Sequence, residues 1–187
     1  MTRPLWLAPT RLVVATLAAI SIVAGFGLAS AVWPPASSPT STASAPAVHY
    51  ENLSIILNPA NGAPQYTPAN FTLVEGYNIV TITDYDSPGA WAGCGCVVSG
   101  TVGGTETVNG TPMHVVPNTN VAHTFSSPQL NLNVLVPGGG AVVSFEVYVL
   151  PGTYTWLCMA PCGADGYTGF PMDTPGYMTG TISVVAS

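Results

Sequence analysis

The sequence predicts an all-β protein, a Greek-key β-sandwich or barrel, carried on one N-terminal transmembrane helix. Three observations predict it. Several short segments alternate apolar and polar residues with period two and are rich in β-branched side chains. Gly and Pro punctuate the chain between those segments. Beyond the first apolar run, no stretch carries a helical pattern, which leaves sheet packed on sheet.

The elements follow in chain order. Residues 1–11 form a short N-terminal segment holding Arg3 and Arg11, the only two basic residues of the chain. Leu12 to Val32 carries no charge and is long enough to cross a hydrocarbon core of about 30 Å as a helix. We assign residues 12–33 to a membrane anchor, with Trp6 and Trp33 as interfacial flanks. The arginines precede the run, so the N-terminus is expected in the cytoplasm and the rest outside the plasma membrane. Ala29-Ser30-Ala31 offers the rival reading of a cleaved signal, although the apolar run exceeds a usual signal core. Residues 34–48, rich in Pro, Ser, Thr and Ala, read as an extended stalk.

Residues 49–187 are the folded domain. Asn78 to Asp84 alternates cleanly, and Ala141 to Leu150 does so more clearly, with Val143, Phe145, Val147 and Val149 on one face. The turns Pro137-Gly138 and Pro151-Gly152 bracket that strand. Thr153 to Cys158 is the next strand, with Tyr154, Trp156 and Cys158 pointing one way, and Thr179 to Val185 is the last. Pro88 to Gly110 is a Gly-rich excursion, a long loop or hairpin, carrying Cys94-Gly95-Cys96.

Composition narrows the function. A formal charge of −6, with charged residues only 5 % of the chain, excludes nucleic acid as a partner. So few ionisable groups suit an acidic exterior. Asn52, Asn70 and Asn109 each head an N-glycosylation sequon, consistent with export. Four cysteines outside the membrane are disulfide candidates by default. Two pairings suggest themselves, Cys158 with Cys162, or each of these with one of Cys94 and Cys96. A direct Cys94–Cys96 bridge closes a very small ring and ranks last. Asp84, Asp86, Asp165 and Asp173 form no catalytic pair and read as solvated surface.

The chemistry concentrates between Val121 and Val185. Soft thiolate and imidazole donors, with a weak thioether beside them, are what a copper electron-transfer site requires. His123 on one strand, then Cys158 and Cys162 after a P-G-x-Y strand, supply such donors, with Met172 and Met178 nearby. His114, between Pro112 and Pro117, sits at an edge or in a loop.

The run N-V-A-H-T-F-S-S-P-Q-L-N-L, followed by V-P-G, P-G-T-Y and C-x3-C-G, resembles subunit II of haem-copper terminal oxidases. The resemblance covers roughly Tyr77 to Val185. It implies a cupredoxin-like domain on the outer face, docked on subunit I and other membrane subunits. The haems and the oxygen-site copper belong to subunit I. By position, His123, Cys158 and Cys162 match three ligands of the family's binuclear copper-A centre, and Ala160 its carbonyl ligand. The second histidine falls on Gly166 and the methionine on Gly169. Met178 takes the methionine's place only when the closing strands are aligned.

The degenerate ligand set resembles the archaeal quinol-oxidase version of the subunit. That version implies a structural, accessory chain with no cofactor expected of its own, or one copper on His123, Cys158, Cys162 and Met178. Such a complex reduces dioxygen to water and builds a proton gradient. The alternatives are a membrane-anchored blue-copper carrier of the sulfocyanin or plastocyanin type and a copper-bearing cytochrome-c-oxidase-type subunit II. An adhesive, disulfide-stapled surface domain ranks last.

Overall fold

The computed structural model describes residues 47–187. The expected cytoplasmic segment, membrane anchor and most of the stalk lie outside the described residues. Among those described, no helix is long and apolar enough to cross a membrane.

Among the described residues the fold is an all-β sandwich of eleven strands, with three single-turn 3₁₀ segments. In chain order the strands are β1 (His49–Leu57), β2 (Pro64–Thr67), β3 (Asn70–Val74), β4 (Gly76–Asp84), β5 (Glu106–Val108) and β6 (Thr111–Met113). They continue with β7 (Val121–Ser127), β8 (Leu132–Pro137), β9 (Val142–Val149), β10 (Gly152–Leu157) and β11 (Thr179–Val185). One sheet has six strands in the order β2-β1-β4-β9-β5-β6, the other five in the order β3-β11-β10-β7-β8. Neighbours pair antiparallel except β1 with β4 and β3 with β11, which run parallel.

Alternation places the core. Val80 and Ile82 of β4, and Val143, Phe145, Val147 and Val149 of β9, face inward. From the other sheet come Phe125, Trp156 and Ile182. Aromatic rings knit the centre: Trp156 lies 4.5 Å from Tyr66 and 5.1 Å from Phe125, centroid to centroid. Both polar handles are satisfied, since the Trp156 indole N–H donates to the Ala69 carbonyl at 2.8 Å and the Tyr66 hydroxyl to the Thr124 carbonyl at 3.0 Å. Gly180 of β11 is indispensable to this packing, because a Cβ there would strike the backbone of Ala69 and the Trp156 ring.

The Gly-rich excursion after β4 is a long loop tied down by single bridges, Val97 to Val115 and Ser99 to Asn133, before it ends in the β5–β6 hairpin. It covers a satellite core of Cys96, Val98, Val116, Val121 and Leu135. Here the cysteines take the arrangement ranked last among the expected ones. Cys94 and Cys96 make a disulfide-like contact with each other, while Cys158 and Cys162 are unbridged. Neither the Cys158–Cys162 bond nor the cross-pairing is present. The short ring closes because Gly95 separates the two cysteines and Cys96 adopts a left-handed φ of 36°, which turns the chain until the Cα atoms are 5.1 Å apart. The sequon asparagines Asn52, Asn70 and Asn109 are all exposed.

Candidate metal centre

Two strands of the five-stranded sheet set the site. His123 comes from the middle of β7, at a register shift between Val121 and His123 against β8. Cys158 follows β10 directly, and its N–H donates to the Met178 carbonyl at 2.8 Å, so the start and end of the 158–178 loop are pinned together. Cys162 is placed by a tight turn in which its N–H donates to the Ala160 carbonyl at 2.8 Å.

One donor atom from each of His123, Cys158 and Cys162 lies within 4.8 Å of the others. His123 Nδ1 is 3.0 Å from Cys162 Sγ, and the two sulfurs are 3.4 Å apart. That separation is well beyond a disulfide bond of about 2.05 Å. The Ala160 carbonyl is 3.8 Å from Cys158 Sγ. Thr124 is the hub beside them: its N–H points at Cys158 Sγ at 3.4 Å, and its hydroxyl accepts the Met159 N–H at 2.7 Å.

The far side of the imidazole meets two carboxylates. Asp86 Oδ2 is 3.1 Å from His123 Nε2, and Asp84 Oδ2 is 3.9 Å from it. Asp84 is fully buried. The expectation of a solvated acidic surface is therefore corrected for this pair. The missed signal was present in the alternation of β4, in which Asn78, Val80, Ile82 and Asp84 share the inward face. Thr124 had no comparable signal.

Protonation follows from this packing. Burial raises Asp84 to about 6, against the opposing pull of His123 and the Asp86 N–H. Burial depresses His123, but Cys158, Asp84 and Asp86 outweigh it and leave the imidazole above its ordinary range. Burial also opposes the Cys158 thiolate, yet hydrogen bonds from Cys162, His123 and the Thr124 N–H hold that thiol well below its usual value. Cys162 moves the other way, pushed up first by its hydrogen bond to Cys158 and then by burial. Of the two thiols, Cys158 is therefore the one disposed to lose its proton.

With Nε2 engaged by Asp86, Nδ1 is the nitrogen left for a metal, the arrangement in which an outer carboxylate orients a ligating imidazole. Two sulfurs and an imidazole form a donor set for a soft cation. Met178 is buried in the main core and Met172 half-buried against it. His114 is elsewhere, its ring bonded to the Gly104 carbonyl at 2.8 Å beside the edge strand β6, and His49 opens β1.

Gly166 and Gly169 both adopt left-handed backbone, with φ of 84° and 76°. The loop is built around glycine at the two positions where the resembling family has ligands. A binuclear centre with two imidazoles does not fit these residues. A single soft ion on three donors does.

The sequence matches no protein-family model, and a search of curated proteins finds no match. The family resemblance rests on the residues themselves.

Proposed function

We propose that this chain is subunit II of a haem-copper terminal oxidase, of the quinol-oxidizing type, with a cupredoxin-like domain outside the membrane. The observation that carries the reading is the convergence of His123, Cys158 and Cys162. The motif resemblance singles out these positions, and they are contributed by β7 and by the segment just after β10. The resemblance supplies the rest: quinol is oxidised at the membrane, dioxygen is reduced in subunit I, and this chain is an accessory without activity of its own.

Where a copper ion is held here, Cys158, Cys162 and Nδ1 of His123 hold it, and it supplies one-electron chemistry. The chain's own residues do the positioning. Asp86 fixes the imidazole, Thr124 directs its N–H at the Cys158 sulfur, and the Cys158–Met178 backbone bond closes the loop. Co-purification from the native membrane tests the assignment. A haem-bearing membrane protein in stoichiometric complex with this chain is the expected result. Isolation of the chain alone, with an intense visible thiolate-to-copper band, favours the second reading of a free-standing blue-copper carrier. The unbridged thiols support that alternative, because a mononuclear site needs a free cysteine.

A further inference from the structure

The three donors are not equally enclosed. Cys158 is sealed in the core and His123 is buried, whereas Cys162 is partly exposed. A surface cavity of about 290 Å³ leads to them, with His123 and Cys162 among its lining and Ser87, Pro88, Ala122 and Pro161 as walls. Asp86 stands in the same lining, its side chain 18 % exposed.

The walls of the opening are close-packed. Pro88 and Pro161 fix the backbone of two of its walls. Gly89 packs so closely on β7 that a Cβ there would lie 2.7 Å from the Ala122 Cα, which clamps the 86–89 segment in place.

We propose that this opening is a copper(I) exchange port. The domain takes up copper(I) and gives it away by ligand exchange with a thiolate-bearing partner, instead of sealing the ion in as an electron relay would. The inference rests on the reading that His123, Cys158 and Cys162 hold copper.

Three observations support it. Two sulfurs with one imidazole suit the monovalent, soft ion. The cavity is lined by both His123 and Cys162, so an incoming ligand can reach the site from the surface. The asymmetry of the cysteines allows stepwise transfer: Cys158 is the enclosed anchor, and Cys162, in the port, is the sulfur that an incoming thiolate displaces. The step balances without an oxidant. A partner thiolate's bond to copper forms as the Cys162 bond breaks, and further partner donors then replace Cys158 and His123. Each released sulfur regains a proton from water as a partner thiol gives one up, and copper stays monovalent throughout.

The test uses the full-length chain in detergent, loaded anaerobically with copper(I) and mixed with excess bathocuproine disulfonate. The release rate is expected to rise in proportion to chelator concentration, because the chelator enters through the port. Ser87→Trp plugs the passage without touching a ligand, and is expected to slow release at least about tenfold with copper stoichiometry unchanged. A release rate independent of chelator concentration in the wild-type chain overturns the port, whether or not the variant folds. An unchanged rate in a folded, loaded Ser87→Trp protein overturns it too. Failure of the wild-type chain, with both thiols reduced, to retain any copper overturns the metal-site reading beneath it and the port with it.

Discussion

Two regions of the sandwich each hold one cysteine pair and one buried carboxylate, and they resolve them in opposite ways. At the β7–β10 end, Cys158 and Cys162 stay open and Asp84 faces the His123 imidazole. In the satellite region, Cys94 and Cys96 make a disulfide-like contact, and Glu106 accepts only the Leu135 N–H, at 2.9 Å, leaving its other oxygen buried and without a partner. The difference is a base. Where an imidazole sits between thiols and carboxylates, the Asp84 Oδ2 makes no hydrogen bond but lies 3.9 Å from the ring nitrogen, and the thiols stay open as ligands. Where none is present, burial keeps the carboxyl neutral, pushing Glu106 up to about 8.

The largest expected effect breaks the comparison most directly. Cys158→Ser should weaken copper(I) binding by more than about 100-fold, beyond what an outer-shell change costs. The double variant Cys94→Ser/Cys96→Ser should bind as the wild type does. Competition titration of both proteins checks this, and equal loss in the two would erase the distinction between the pairs.

Glu106 gives the next largest. Unfolded, it releases its proton near the ordinary 4.5, and folded it keeps the proton until about 8. The native state binds more protons between those values, so this contribution to stability is complete below pH 4.5 and lost as pH rises through about 8. Urea unfolding at about pH 5 and about pH 8 should show a loss of a few kcal/mol in the wild type and a flatter response in Glu106→Gln. Parallel curves would show that the carboxyl is not the titrating group.

A smaller effect sharpens the site. Asp86→Asn keeps the side chain's size but weakens its grip on the imidazole, and should lower copper(I) affinity by about tenfold. An unchanged affinity would mean that Asp86 does not position His123. The smallest concerns the loop. Gly166→His restores the histidine of the resembling family, yet its left-handed backbone should cost about 1 kcal/mol of stability and add no second imidazole to the site. Metal coordination by X-ray absorption, together with a melting curve, checks both halves.

Much of the fold was legible in the sequence, and the reason is local. β4, β9, β10 and β11 each advertise themselves by alternation between turn residues, and their bounds fall within two residues of those expected. Their partners were not legible, because period two says which way a side chain faces and nothing about which strand lies beside it. The parallel pairings of β1 with β4 and β3 with β11 are of that kind. At the site, His123, Cys158 and Cys162 could be picked out because soft donors are rare and their spacing is informative. Asp84 was hidden by its chemistry: a carboxylate at a strand end reads as surface, although its place in the alternation points inward. The Cys94–Cys96 contact was hidden for another reason, since only the φ of Cys96 reveals that the chain turns back so sharply.

The meeting of His123 with Asp84 also has a mechanical side. The imidazole is anchored in one sheet, and the carboxylate belongs to the last residue of β4 in the other. Whatever grips the imidazole and the two sulfurs therefore rivets the layers at that end. An ion that binds only the assembled arrangement stabilises it by mass action. Occupancy thus becomes a property of the whole sandwich, readable as the force or heat needed to pull its two halves apart.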